Sequence, residues 1–267
     1  MIVLEKLFLW FLFYSFCGWI YESILVSVQE RRPVNRGFLN GPLCPIYGTG
    51  AVTAIVVLGQ VRNPVVVFIL SAVGACLLEY VTSWVMEQFF HARWWDYSNF
   101  RFNLNGRICL WGALIFGIGG VFIVDVAQSP VARITAMIPL PALHWMTVVF
   151  AVLTAIDTVI TVAGIVNFEE SLDKLMAIVS QYSDALRERI DAVSDAVSDA
   201  SDRVGETWQS GKELSMDVML KIKDAAGSVL NRQQRRMIAS FPKLRTERNN
   251  EMLQELRDAF ERLYRGR

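Results

Sequence analysis

Three carboxylates, Glu22, Glu79 and Asp157, each stand about two-thirds of the way along a long apolar stretch. A bare carboxylate in lipid costs about several kcal/mol unless it is protonated, paired or turned to water, so three at one level predict a shared polar pocket. Arg36 and Arg107, in the segments that follow, are natural partners, because a planar guanidinium can hold a carboxylate through two hydrogen bonds. For Glu22 and Glu79 two readings stand open: a substrate or proton site, or carboxylates that anchor Arg36 or Arg107 at the inner membrane face. Asp157 has Thr154, Thr158 and Thr161 beside it, whose hydroxyls could satisfy it locally.

Other chemistries find no support in the residue pattern. His91 and His144 lack metal-ligand spacing, and Cys17, Cys44, Cys76 and Cys109 show no CxxC pair. The cysteines read as reduced small hydrophobes. No nucleophile has an adjacent base, so the expectation is a non-enzyme with no catalytic residue, metal or cofactor. No G-x-x-x-x-G-K-[ST] loop is present, so ATP hydrolysis by P-loop chemistry would need another polypeptide.

At 53% hydrophobic residues the chain is too apolar for an ordinary soluble domain, and its polar residues concentrate after residue 167. The sequence therefore divides into a transmembrane domain, residues 1–167, and a helical cytoplasmic tail, residues 168–267. The fold class expected is all-α, a polytopic helical membrane bundle. Five stretches approach the roughly 20 residues a crossing needs: Leu7 to Val28, Leu43 to Val61, Val65 to Met86, Ile108 to Val126 and Leu143 to Val166. The segment 87–107 reads as one able to enter the membrane without crossing it. The first stretch contains Glu22 and has no A-x-A-like cleavage site, so it reads as a retained span.

Arginines set the expected orientation. Arg31, Arg32 and Arg36 follow the first span and Arg93, Arg101 and Arg107 the third, whereas the second and fourth connections offer only Arg62 and Arg133. The first and third loops should be cytoplasmic, with the N-terminus outside and the tail inside. Glu22, Glu79 and Asp157 then lie roughly 21 to 22 Å along spans of the same direction, in the inner half.

Each acid shares a face with small or polar residues: Ser15 and Gly18 with Glu22, Ser71, Ala75 and Ser83 with Glu79, and Thr147, Thr154 and Thr161 with Asp157. Such faces pack against protein. Ala113, Gly117 and Gly120 give the fourth span a small-residue stripe for close helix approach.

In the tail, Leu175, Leu186, Val197 and Trp208 recur every eleven residues. Eleven residues make three turns of a nearly straight helix, so an amphipathic, coiled-coil-like rod is expected, packing on distal helices or a second copy. Its polar face is acidic, which opposes adsorption to an anionic membrane. Another helical segment runs from Glu247 to Tyr264, after a break at Phe241 and Pro242. The basic run from Arg232 to Arg245 reads as a solvated face, and no nucleic-acid partner is expected.

Two connecting segments have unusual composition. One is NRGFLNGPLCPIYG, residues 35–48, where glycines and prolines interrupt helix and Asn35 and Arg36 supply donors. The other, residues 87–109, holds WWDYS (Trp94 to Ser98) and NLNGRIC (Asn103 to Cys109). Asp96 reads as a helix cap or a partner of Arg93 or Arg101, and Trp94, Trp95 and Tyr97 as interfacial aromatics.

Together with Gly18, Trp19 and Glu22, and with Glu79, Thr82, Ser83 and Glu87, these strings closely resemble the CmpB-like bacterial family of type IV ABC-transporter permeases. RRMIASFPKL, Arg235 to Leu244, looks like part of the same pattern. The resemblance implies a permease-like subunit of the bacterial cytoplasmic membrane, with the lipid bilayer and a separate ATPase subunit as partners; the small number of spans adds self-association. The resulting expectation is an inner-half pocket of Glu22, Asn35, Arg36, Glu79, Ser83, Glu87, Asp96, Asn103, Arg107 and Asp157. The alternative is a non-transporting scaffold acting through its tail, whose buried acids only hold the bundle together.

Overall fold

The computed structural model describes residues 1–181, 224–251, 253, 254, 256 and 257. The chain divides into two units, Met1–Ala163 with Ser240–Leu244, and Gly164–Ala239 with Arg245–Arg267.

The first unit holds helices α1 (Ile2–Glu30), α2 (Pro45–Leu58), α3 (Pro64–Phe90), α4 (Leu110–Ala136) and the start of α5 (Leu140–Ile165). The helices containing α1, α3, α4 and α5 are long and apolar enough to cross a membrane. Large apolar side chains such as Val65, Val66 and Ile69 on α3, and Val152, Ile156 and Val159 on α5, are exposed. These suit lipid tails and would be untenable in water on this scale.

Local chemistry sets the helix ends. Asn63 caps α3 by accepting from the N–H of Val65 at 2.9 Å and of Val66 at 3.4 Å, and Pro64 occupies the first turn, where no N–H is missed. α1 and α3 end alike, with Arg31 and His91 in the left-handed conformation, φ 52° and 50°. α4 extends ten residues beyond Val126, the expected end of the fourth span, through a π turn at Phe122–Ala127 just before Pro130. Widening a helix by one residue in this way accommodates a ring that carries no N–H.

The expected second span is represented by α2, which has 14 residues. At 1.5 Å per residue it covers roughly 21 Å, short of the roughly 30 Å apolar core. Its start explains the length. The Cys44 N–H donates to the Ser15 carbonyl at 3.0 Å, so α2 begins beside the middle of α1. The segment 31–44 has folded back about 22 Å along the helix it has just left. Its backbone is satisfied by α1 serines: Val34 N–H donates to Ser27 Oγ at 2.8 Å and Arg36 N–H to Ser23 Oγ at 3.1 Å. Irregular backbone is tolerated at membrane depth only with such partners.

The segment after α3 does the same. It contains an antiparallel two-residue ladder, Asn103–Leu104 with Ile108–Cys109, closed at Asn105 (φ 53°) and Gly106 (φ 67°). Asn-Gly is the pair that a turn with two positive φ angles favours. Asn105 Nδ2 donates to the Tyr80 hydroxyl at 3.0 Å and Arg107 Nη1 to Ser83 Oγ at 3.2 Å, tying the ladder to the second half of α3.

Glycines bring each helix pair together. A side chain at Gly48 would overlap Ser15 and the Phe11 carbonyl of α1; one at Gly120 would overlap Ser71 of α3.

In the second unit, Phe168, Leu172, Leu175, Leu230, Met237, Ile238, Leu253 and Leu256 are buried. Asn231 and Gln234 cap the helix Arg232–Ser240 reciprocally: Asn231 N–H donates to Gln234 Oε1 at 3.0 Å and Gln234 N–H to Asn231 Oδ1 at 2.9 Å. Glu169 Oε1 accepts from the N–H of Glu247 at 3.1 Å, and Asn249 Nδ2 donates to Asp173 at 2.7 Å. Of the eleven-residue file, Leu186, Val197 and Trp208 lie outside the described residues, as do the rest of the coiled-coil-like segment and the last residues of the segment 247–264.

Candidate functional site

The two back-folded segments each bring groups to an acid on the helix they follow. In the first, Glu22 Oε1 accepts from the Tyr47 hydroxyl at 2.5 Å, and Glu22 Oε2 lies 3.6 Å from Arg36 Nε. The Glu22 and Arg36 side chains are 24% and 12% exposed, so the pair is largely shielded. Arg36 also donates to the Ser240 carbonyl at 3.0 Å and lies 4.1 Å above the Phe241 ring.

In the second, Glu79 Oε1 accepts from the Tyr97 hydroxyl at 3.0 Å. Glu79 is only 6% exposed, and its Oε2 is buried with no hydrogen-bond partner among the described residues. Glu79 stands eleven residues, about 16 Å, before the end of α3, which measures how far the WWDYS segment folds back.

Arg107 goes elsewhere. It pairs with Glu87, donates to Ser83 and lies over the Tyr80 ring at 5.5 Å. Arg93 Nε also reaches Glu87, at 2.8 Å. One carboxylate thus holds two arginines and pins both ends of the segment to α3. Asp96 Oδ1 accepts from Ser98 N–H at 2.9 Å and from Ser98 Oγ at 2.5 Å. Asn103 accepts from Gly106 N–H at 2.9 Å and donates to the Phe100 carbonyl at 2.6 Å. Asn35 Oδ1 accepts from Trp19 Nε1 at 2.6 Å. These three side chains shape loops.

Asp157 is satisfied from the first segment as well as by Thr161. Its carboxylate accepts from Asn40 N–H at 3.0 Å, Asn40 Nδ2 at 2.9 Å, Gly41 N–H at 2.7 Å and Thr161 Oγ1 at 3.3 Å. It fastens the tip of that segment to α5.

A cavity of about 2050 Å³ lies among α1 to α4 and the two segments. Glu22, Arg36, Tyr47, Glu79, Trp94 and Tyr97 line it; Asp157, Glu87 and Arg107 do not. Its volume exceeds the roughly 300–1,000 Å³ of a drug-sized pocket, and its walls are mainly apolar, so polar groups at the Glu22 and Glu79 end would fix the position of any ligand. Phe241, Pro242 and Lys243 form part of the wall. Phe241 is buried and meets Trp94 edge to face at 6.5 Å between ring centroids. Cys44 is also on the wall.

Tyr47 and the backbone of Asn40 and Gly41 were not singled out by sequence reasoning. The only trace was the clustering of Gly37, Gly41, Pro42, Pro45 and Gly48, which marks a backbone required to turn and approach closely.

The apolar helices define a polytopic helical membrane protein. Residues 9–162 match the family described as Putative ABC-transporter type IV. That match covers more than half of the chain, and the chain belongs to this family. Its helices fit a membrane transporter component in contact with lipid. The tail string Arg235 to Leu244 lies beyond the matched residues. No curated protein and no solved structure matches the chain.

Proposed function

We propose that the chain is the permease-like subunit of a transport system, with its binding site at the Glu22 and Glu79 end of the cavity and ATP hydrolysis supplied by a separate polypeptide. The observation that carries this reading is the buried Glu79 Oε2 on the cavity wall, which has no hydrogen-bond partner among the described residues. An isolated acceptor of this kind costs stability, which a ligand-binding role accounts for and a purely structural role does not. Back-folded segments beside intramembrane acids are a common way to build transport sites, by analogy of design. Tyr47, Tyr97 and Arg36 position the two carboxylates; the cavity contributes binding and no bond-making chemistry.

In this reading the segment 31–44 and α2 together make one crossing, which brings the total to five. The N-terminus then faces outside and the tail the cytoplasm, in agreement with the arginines of the first and third connections. The protein would act in the bacterial cytoplasmic membrane and associate with further copies.

Recovery of the intact protein from its native membrane in mild detergent, followed by mass spectrometry, tests the assignment. A stoichiometric ATPase subunit is the expected result. Recovery of only soluble partners, lost when residues after Phe168 are removed, would overturn it in favour of a scaffold.

A further inference from the structure

We propose that the cavity binds a lipophilic monovalent organic cation against Glu79, in exchange for a proton. The inference rests on the transport reading above and names its substrate class.

Charge on the cavity wall comes first. The charged residues lining it, among those described, are Glu22, Glu30, Arg36, Glu79 and Lys243, an excess of one negative charge when Glu79 is ionised and of none when it holds its proton. Arg36 neutralises Glu22 at 3.6 Å. Lys243 is exposed, with its Nζ 5.6 Å from the centre of the Phe100 ring. Glu30, at the end of α1, is half-buried. The ionisable groups around Glu79 are Glu22, Tyr97 and Cys76, with Cys109 and Arg36 next to Tyr97. Arg36, the one cation of this cluster, is paired with Glu22. Glu79 is therefore the buried carboxylate on this wall with no ion pair among the described residues, and its Oε2 accepts no hydrogen bond from them.

The wall then narrows the cation. A hard divalent ion needs six or more oxygen ligands, and among the described residues no cluster of three or more His, Cys, Asp or Glu side chains could hold one. A small monovalent ion would lose its hydration without replacement. An organic cation carries less tightly bound water, and Tyr21, Phe38, Trp94, Trp95 and Phe100 offer aromatic surface to its body. Anions meet the wrong sign of charge.

The exchange balances in atoms and charge. Glu79 as a neutral acid gives its proton to water, and the carboxylate so formed receives the cation. No bond other than the carboxyl O–H breaks, and the net charge within the cavity is unchanged. An uncompensated carboxylate in apolar surroundings is avoided at each stage.

Titration of the purified full-length protein with tetraphenylphosphonium, in buffers of different ionisation enthalpy, reads affinity and proton release together. The expected result is about one proton released per cation, with affinity rising up to about tenfold per pH unit over the range in which Glu79 holds its proton. Glu79→Gln should lose proton release and at least about tenfold in affinity, while Glu79→Asp keeps the release. Neutral triphenylphosphine oxide should compete poorly. Binding by wild type without proton release, equal binding of the neutral oxide, or unchanged release in Glu79→Gln would each overturn the proposal. Wild-type release decides the question even if a variant does not fold. Failure here alongside recovery of an ATPase subunit would remove only the substrate class; proton-coupled binding without any ATPase would spare the class and remove the ABC-type assignment.

Discussion

The α1–α2 and α3–α4 hairpins share one plan and finish it differently. Each begins with a long helix that ends in a left-handed residue, Arg31 or His91, followed by a segment that folds back along it. Each second helix starts after a cysteine, Cys44 or Cys109, and sets a glycine against a serine of the first helix, Gly48 on Ser15 and Gly120 on Ser71. Each places a tyrosine hydroxyl on a glutamate Oε1, Tyr47 on Glu22 and Tyr97 on Glu79. The difference is the second oxygen. Arg36 reaches Glu22, whereas in the other hairpin the arginines go to Glu87 and leave Glu79 Oε2 bare. One hairpin is closed by its ion pair, and the other keeps a carboxylate oxygen with no partner among the described residues.

The largest effect should come from breaking the shared plan. Gly48→Val and Gly120→Val both drive a side chain into a serine of the facing helix, and Gly48→Val also meets backbone, so each should cost about 3 kcal/mol or more. Yield and thermal unfolding of the detergent-solubilised protein measure this. Gly74→Ala, with open space at that position and a gain in helix propensity, should be neutral or slightly stabilising.

A smaller effect should follow from removing the Phe241 wall. Phe241→Ala takes away the ring that faces Arg36 and Trp94, and labelling of Cys44 by a polar thiol reagent should quicken by about severalfold. A rate unaffected by Phe241→Ala would mean that the segment does not control access.

Hydropathy was sufficient to locate α1, α3 and α5 within a few residues of their observed ends. It misplaced the end of α4, since Pro130 reads as a helix breaker whereas the π turn at Phe122–Ala127 carries the helix past it, and it assigned α2 a full span. Composition cannot show that a connecting segment returns along its own helix, because the pairing of Cys44 with Ser15 is set by tertiary hydrogen bonding. The three acids were visible from the sequence, but not their separate fates. Asp157 is held largely by backbone N–H groups, which every residue but proline carries, and Glu79 takes a hydroxyl from a tyrosine that composition alone would assign to the interface. The Glu22 and Arg36 pair was legible because both residue types are costly there and lie fourteen positions apart across one connection.

The measurement closest to the central claim is paired thermal unfolding of Glu22→Gln and Glu79→Gln. Removing Glu22 strips the counter-ion from a shielded Arg36 and should cost about 2 kcal/mol, whereas Glu79→Gln removes an acceptor that has no partner and should stay within about 1 kcal/mol of wild type, or exceed it. Equal destabilisation by the two variants, or a larger loss at Glu79, would contradict the account of one closed and one open hairpin.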